Sequence, residues 1–222
     1  MTTDPRIVSE ARVIPELAFE EASELAYFGA KVLHPKTIVP AMKAGVPVQI
    51  LNTFNPQGAG TLIVSNFEKR KIASQAVDAL TCKKGVSIIR IYSPEFFDGN
   101  KMIADIFDLF GNYKVNIGDV ALSVASISLI LDSSDSLPPQ LLKNLGKIGD
   151  VTVAPNKAMI CAVGGSNNTA SIAGRIFTVL GEHNIPVEFI AQASSGYSIT
   201  FVVNDKSAEE ALRVLHKECI KP

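Results

Sequence analysis

Residues 126–132 read SISLILD and residues 198–205 read SITFVVND, so one strand-like stretch occurs twice in the 222-residue chain. At nearly the same separation, VSIIRI at 86–91 is matched by AMICAV at 158–163. Three further pairs follow in the same order: MIADIFDLF at 102–110 with IAGRIFTVL at 172–180, KVNIGDV at 114–120 with NIPVEFI at 184–190, and PQLLKNLGKIG with EEALRVLHKEC. Matched pairs in one order indicate that a single structural unit is repeated.

Each copy is predicted to run strand, helix, strand, strand, helix, because β-branched apolar runs alternate with helical periods. In the second copy a helix is predicted over Thr169–Glu182, with one apolar face formed by Ile172, Ile176, Val179 and Leu180. The last helix should bury Ala208, Ala211, Leu212 and Leu215, with Ser207 as its cap. An extra strand at 151–154 should end the first copy just before Pro155. Each copy is therefore expected to be an open sheet with helices on one face.

Residues 1–65 do not belong to the repeat. Helices are predicted near 19–29 and 36–44, the second ending at Gly45 as its C′ residue. Strands are predicted at 46–52 and 61–65, and residues 66–84 are interpreted as a linker, partly helical. Apolar residues of this segment such as Ile38 and Met42 are expected to lack a cover.

Composition excludes several classes of protein. Lys plus Arg is 21 and Asp plus Glu is 22, which argues against a nucleic-acid partner. No stretch of 18 apolar residues is present, so no membrane partner is expected, and the N-terminus does not resemble a signal peptide. Three scattered cysteines and three scattered histidines predict reduced, buried thiols in the cytoplasm and no metal site.

The repeated unit resembles the ACT domain, a family of amino-acid-binding regulatory modules. The preceding residues strengthen the resemblance: TTDPRIV at 2–8, EEASELAYFGAKVLHP at 20–35, and NTFNP at 52–56 are similar to the C-terminal part of the aspartate kinase catalytic domain. In that family this part precedes two ACT domains. The resemblance implies an α/β (α+β) chain, with a partial amino-acid-kinase-fold segment at 1–65, a linker at 66–84, and two ferredoxin-like βαββαβ ACT domains at 85–154 and 155–222.

Aspartate kinases transfer the γ-phosphoryl group of ATP to the side-chain carboxylate of aspartate, using Mg²⁺, in the pathway to lysine, threonine and methionine. By resemblance, Thr3 and Asp4 match the nucleotide-contacting Thr-Asp pair, Arg6 matches the basic position beside them, and Lys31 matches the lysine that reaches a phosphate. Such a role is chemically reasonable, because phosphoryl transfer depends on positioned cations and hydrogen-bond donors.

The family's N-terminal Lys-Phe-Gly-Gly segment and its aspartate-binding residues do not occur in these 222 residues. The chain alone is therefore expected to lack kinase activity, to hold no complete catalytic set, and not to bind ATP or Mg²⁺ tightly. Three interpretations stay open: the C-terminal portion of an enzyme, a stand-alone regulatory subunit that pairs with a full-length catalytic subunit, and a dimerisation module without regulation. The reading frame upstream of Met1 would separate the first two.

In lysine-sensitive members the effector binds where two ACT units pair. By resemblance, the matching positions here are Phe96, Gly99, Met102, Ile103, Ile117, Gly118, Asp119, Ser123 and Val124. The two family carboxylates that would hold a lysine ammonium are replaced by Gly118 and Val124. Asp119 lies one position late, and one step along a strand turns a side chain to the other face. Lysine sensitivity is therefore in doubt: the pocket could accept a smaller or less basic effector, or it could have lost regulation.

Two further features concern partners. The open edge of the first unit is expected to join two chains into a homodimer, because exposed edge strands tend to pair. In the second unit, the loop 164–169 precedes a helix, where backbone amides can receive a carboxylate. Gln192, Ser194 and Ser195 are polar residues that could line a ligand or an interface.

Overall fold

The computed structural model describes residues 1–29, 35–65, 77–94, 100–132, 137–164, 169–192 and 196–220. Its strands are β1 (Glu16–Ala18), β2 (Val48–Ile50), β3 (Thr61–Val64), β4 (Ala79–Tyr92), β5 (Ile117–Leu122), β6 (Ser126–Leu131), β7 (Asp150–Val163), β8 (Phe189–Gln192) and β9 (Ser198–Asn204). Its helices are α1 (Phe19–Tyr27), α2 (Pro35–Ala44), α3 (Asn100–Asn112), α4 (Pro139–Leu145), α5 (Thr169–Glu182) and α6 (Ala208–Cys219). The predicted mixture of helices and sheet is confirmed.

The two repeats share one six-stranded antiparallel sheet, in the order β5-β6-β4-β7-β9-β8. The central strands β4 and β7 are each 14 residues long, and they pair with each other along most of their length. β6 pairs with the second half of β4, whereas β9 pairs with the second half of β7. Each repeat therefore occupies one half of the sheet, and β5 and β8 are its two edges.

The midpoint of the sheet is irregular in both central strands. The register between β4 and β7 shifts on either side of Val86, which pairs with Lys157, and Pro155 and Asn156 lie within the second shift. Gly85 and Asn156 both have positive φ angles, +74° and +59°. Such bulges bend a strand and release its ladder hydrogen bonds, so a proline is tolerated there. The predicted strand at 151–154 is present and pairs with β4, but it does not end before Pro155, because β7 continues through the bulge.

The first half of β4 corrects the predicted linker. Residues 79–84 lie within the segment 66–84 that was interpreted as a partly helical connection, yet they form a strand. They pair with residues 158–163 of β7, in the half of the sheet that carries β8 and β9. In chain order, the first repeat therefore lies between the two strand segments 79–84 and 158–163, which both belong to the other half of the sheet.

Each half of the sheet carries helices on one face. The α3 and α4 side chains Ile106, Phe110, Leu141 and Leu145 pack on β4 and β6 in one core. α5 and α6 pack on β7 and β9 in a second core, and all eight apolar residues predicted for these helices are buried. Ser207 does not cap α6 with its side chain. Instead, the Asn204 side chain accepts a hydrogen bond from the Lys206 amide in a 3₁₀ turn that precedes the helix.

The N-terminal segment covers the opposite face of the sheet. Its small sheet has the order β1-β3-β2, with β1 parallel to β3. α1 follows β1, and the Glu21 carboxylate accepts a hydrogen bond from the Ala18 amide. α2 ends as predicted at Gly45, whose φ is +64°, because the Gly45 and Val46 amides donate to Met42 and Ala41.

A third core joins this segment to both repeats. We call it the inner core; its buried members from the N-terminal segment include Leu17, Phe19, Leu25, Phe28, Ile38 and Ile63, and those from the large sheet include Val86, Ile130, Met159, Cys161, Phe189 and Val202. Ile38 is only 2% exposed, so the expectation that it lacks a cover was wrong, whereas Met42 is 40% exposed. The N-terminal segment and the two repeats are therefore packed together.

Candidate functional site

The predicted nucleotide residues Thr3, Asp4 and Arg6 lie in one turn near the N-terminus. The Asp4 carbonyl accepts hydrogen bonds from the Ile7 and Val8 amides, both at 3.0 Å. The Asp4 carboxylate accepts from the Arg6 amide at 2.9 Å and lies 2.6 Å from the Arg6 guanidinium. The hydrogen bond from the Arg6 side chain to the Asp4 carboxylate, together with the negative charge of Asp4, raises the pKa of Arg6. We call residues 2–8 the N-terminal turn; its Arg6 side chain is 83% exposed and keeps its full charge.

The N-terminal turn is anchored to the second repeat by buried contacts. Thr2 Oγ1 and His216 Nε2 share a hydrogen bond of 2.9 Å, and the two residues are 4% and 8% exposed. The Arg12 amide also donates to Thr2 Oγ1, and the Thr2 carbonyl accepts from the Leu80 amide at 2.7 Å. Burial lowers the pKa of His216, and the nearby Arg12 charge lowers it further, while Glu10 opposes this change. His216 is therefore neutral near pH 7.

Thr3 is buried, and among the described residues its hydroxyl finds no hydrogen-bond partner. A buried hydroxyl without a partner carries a free-energy cost of about 1–3 kcal/mol, and a ligand could satisfy it only if the turn opened to expose the oxygen. Lys31, the remaining predicted nucleotide residue, lies outside the described residues. The structure thus brings Thr3, Asp4 and Arg6 together.

The predicted effector residues of the first repeat divide between two faces of the sheet. Met102 and Ile103, in the first turn of α3, are partly buried against the same core as Ile117 of β5. Val124 is 66% exposed in the loop between β5 and β6, where the Ser123 amide donates to the Ser126 carbonyl. Phe96 and Gly99 lie outside the described residues. Met102, Ile103 and Ile117 therefore form an apolar surface beside the edge strand.

Gly118 and Asp119 occupy an irregular position of this edge. The register between β5 and β6 shifts between Ile117 and Asp119, so Gly118 is the additional residue of a bulge. A Cβ atom on Gly118 would lie 2.9 Å from Asp132 Oδ1. Ile117 packs on the helix-side core, whereas burial raises the pKa of the Asp119 carboxyl and Asp119 raises that of Glu24 on α1. Asp119 therefore faces the N-terminal segment.

This contact belongs to a polar cluster that the sequence did not predict. Glu24 accepts a hydrogen bond from Ser198 Oγ at 3.1 Å, and Tyr27 Oη lies 3.5 Å from the Gly118 carbonyl. Burial raises the pKa of Glu24 and of Tyr27, and the charge of Asp132 raises that of Tyr27 further. Lys83 supplies the neighbouring positive charge, with its Nζ 2.8 Å from Asp132 Oδ1. These residues come from α1, from three strands (β4, β5 and β9) and from the residue that follows β6, and no local pattern in the sequence brings them together.

The second candidate loop is described only at its ends. Gly164 has φ +132°, and a Cβ there would lie 2.7 Å from the Asp78 amide nitrogen, so only glycine fits. Residues 165–168, Ser194 and Ser195 lie outside the described residues, and Gln192 is exposed at the end of edge strand β8. No group of three metal-binding side chains occurs in the part of the chain that the structure describes. Within that part, none of the helices has the length and apolar character needed to span a membrane.

Comparisons with known proteins agree with this organisation. The amino acid kinase family matches residues 1–52, and the ACT domain family matches residues 160–219. The chloroplastic aspartokinase 1 of Arabidopsis thaliana is 33% identical over 225 residues, which cover 98% of this chain and 39% of that protein.

Solved structures extend the likeness to the complete fold. The aspartate kinase of Clostridium acetobutylicum has a TM-score of 0.91 at 28% identity, over 99% of this chain and 52% of that one. E. coli aspartokinase III, solved with aspartate and ADP in its R-state, has a TM-score of 0.86 at 28% identity, over 99% of this chain and 50% of that one. The chain thus spans about half the length of these solved proteins, and less of the plant relative.

Proposed function

Because the chain belongs to the aspartokinase family, we propose that it is the C-terminal regulatory portion of an enzyme that phosphorylates the side-chain carboxylate of L-aspartate with ATP. The inner core carries this proposal. It packs α1 against both repeats, and Ala121 of β5 lies against it, so we expect a change at this edge of the sheet to reach α1. A regulatory unit needs such a contact, because an effector acts only through a difference between two states of the protein.

The N-terminal turn is suited to hold part of a nucleotide. The exposed Arg6 guanidinium can turn from Asp4 to a phosphate, and the buried Thr3 hydroxyl would donate a hydrogen bond once the turn opens. Lys31 would add a second cation. In the intact enzyme Mg²⁺ would neutralise phosphate charge, as in other phosphoryl transfers. We propose that the 222 residues alone do not phosphorylate aspartate, because they supply contacts to the nucleotide but do not include the family's aspartate-binding residues.

The edge of the first repeat is the proposed effector site. The apolar surface of Met102, Ile103 and Ile117 would contact the effector side chain. The nearest carboxylate, Asp119, faces the N-terminal segment beside Glu24. A lysine ammonium buried without a partner would be costly, so threonine or methionine is the preferred effector class.

The domain boundaries follow the predicted ones, with residues 79–84 added to the second unit.

A homodimer through β5 is proposed as the assembly, because among the described strands β5 is hydrogen-bonded only to β6, although β8 also lies near β5 within the chain. The exposed side chains of Leu122 and Val124 lie at its end. The alternative, a stand-alone regulatory subunit bound to a full-length catalytic subunit, shares the same folded chain and the same effector edge. Addition of the purified chain to a separately expressed catalytic chain would distinguish the two, since only a subunit would confer amino-acid sensitivity.

Calorimetry with lysine, threonine and methionine tests the effector proposal. Heat of binding with threonine or methionine, removed by substitution of Ile117 with Asp, is the expected result. Micromolar lysine binding that is lost in Asp119→Ala would contradict the proposed orientation of Asp119. A coupled ATP and aspartate assay should show no turnover by the chain, against about 1–100 per second for ordinary kinases.

A further inference from the structure

One face of α6 contacts both ends of the N-terminal turn. Arg213 and His216 are three residues apart on this helix, so their side chains project from neighbouring positions. His216 holds Thr2 through the buried hydrogen bond of 2.9 Å. Arg213 Nε donates to the Ile7 carbonyl at 3.2 Å. Residues 3–6, which include all the described nucleotide candidates, lie between these two contacts.

We propose that α6 is a positioning element for the N-terminal turn, in which Arg213 and His216 hold its two ends and fix the conformation of Thr3, Asp4 and Arg6 between them. The claim that this turn faces a nucleotide rests on the proposed function. Neither α6 residue touches a reacting atom. They act through the backbone of residue 7 and the side chain of residue 2.

Arg213 is itself held in place by a chain of charges. Glu209, one turn earlier on α6, lies 3.3 Å from the Arg213 guanidinium and 2.8 Å from Lys84 Nζ of β4. The Arg213 side chain is half-exposed, so its charge contributes little by attraction alone. Its Nε donor, by contrast, satisfies the backbone carbonyl of Ile7, the residue whose amide closes the turn on Asp4. The contact between Arg213 and the N-terminal turn therefore depends on the geometry of this hydrogen bond more than on the charge of Arg213.

His216 makes the other contact sensitive to protonation. The charged groups that face it are Arg12 and Glu10, both from the N-terminal segment. Because burial and Arg12 lower the pKa of His216, the folded chain favours the neutral ring. Protonation places a positive charge in this buried contact beside Arg12. The hold on residue 2 should therefore weaken as the pH falls below 6.5, the ordinary value for histidine.

The experiment follows the Ile7 and Val8 amides of the full chain by NMR hydrogen exchange, since both donate to Asp4 within the turn. Loss of one hydrogen bond of about 1 kcal/mol should accelerate their exchange about fivefold in Arg213→Met. Lys217→Met, which removes an exposed cation from the same helix, is the matched control. Equal exchange in the two variants would overturn the proposal.

The pH dependence gives a signature that a merely structural contact would not show. In the wild-type chain the turn amides should shift as the pH falls below 6.5, and His216→Gln should abolish this titration because glutamine keeps a polar nitrogen but binds no proton. A titration that survives in His216→Gln would also overturn the proposal.

Mg·ADP at millimolar concentration separates this proposal from the proposed function. The Thr3, Asp4 and Arg6 amides should shift, and the apparent affinity should fall about fivefold in Arg213→Met, by the same hydrogen-bond energy. If the nucleotide moves no turn amide in the wild-type chain, the nucleotide role of the turn is wrong, while the exchange data still decide the role of α6.

Discussion

Replacement of Thr2 by Val tests the contact between the N-terminal segment and α6. Valine preserves the shape of threonine but removes the hydroxyl oxygen that the Arg12 amide and His216 Nε2 both contact, at 3.1 and 2.9 Å. Both residues of the Thr2–His216 pair are more than nine-tenths buried, so water cannot replace the lost partner. Two hydrogen bonds at about 1 kcal/mol each give a loss of about 2 kcal/mol in the free energy of unfolding.

Urea denaturation at pH 7.5 measures this loss. With a slope of about 3 kcal/mol per M, the midpoint should fall by roughly 0.7 M. Thr152→Val is the matched control, because Thr152 is exposed on β7 opposite Arg90, and surface changes of this kind usually stay within about 0.5 kcal/mol. If the two variants have the same midpoint, the N-terminal turn is not anchored through Thr2, and the reasoning about His216 fails with it.

Three further predictions concern the polar cluster and the edge strand. Glu24→Gln should raise the urea midpoint at pH 7.5, because burial raises the pKa of Glu24 above 4.5 and the charged carboxylate destabilises the folded chain. The higher midpoint of the variant should disappear as the pH falls to about 4.5. A midpoint difference that stays constant over this pH range would show that the Glu24 charge does not cause it. Gly118→Ala should lower the free energy of unfolding by about 1 kcal/mol, because the added Cβ would displace the Asp132 carboxylate from Lys83. Gly111→Ala, at a position with open space on α3, should raise it by about 0.5–1 kcal/mol. Thermal melts in which Gly118→Ala is the more stable variant would contradict the bulge. Leu122→Asp, at a side chain 57% exposed on the proposed dimer edge, should weaken the dimer at least about tenfold, the equivalent of 1.4 kcal/mol, in light scattering over a range of concentrations, while Phe54→Asp should not.

The sequence predicted the parts of the fold that local patterns determine. The period of Ile172, Ile176, Val179 and Leu180 located α5 at Thr169–Glu182, because an amphipathic helix packs its apolar face regardless of distant residues. Gly45 predicted the end of α2 for a similar reason, since a positive φ angle favours glycine.

The remaining features depend on pairing between distant residues. Gly85 and Pro155 interrupt local strand patterns, yet β4 and β7 pair along most of their length, because the two register shifts lie side by side around the Val86–Lys157 pair. Residues 79–84 looked like a linker because the strand that pairs with them lies at 158–163. Likewise, Ile38 is buried only through packing in the inner core.

The candidate site shows the same division. Thr3, Asp4 and Arg6 lie within four residues of one another, so a resemblance of sequence can identify them. His216 and Arg213, which contact the same turn, lie more than 200 residues later in the chain. Strand alternation would place Asp119 on the same face as Ile117, two residues earlier, whereas the bulge at Gly118 turns it to the opposite face beside Glu24. The contribution of Glu24 and Ser198 to the cluster required the complete fold, because they are brought together by packing between α1 and β9.

Hydrogen exchange of the chain with and without amino acids tests the central claim, that an effector at the first repeat acts on the kinase-type segment through the inner core. Threonine or methionine should slow exchange in residues 117–122 and also change it in α1 and the N-terminal turn, while lysine at the same concentration should do neither. Protection confined to 117–122, with residues 2–28 unchanged, would contradict this account, as would a response to lysine alone.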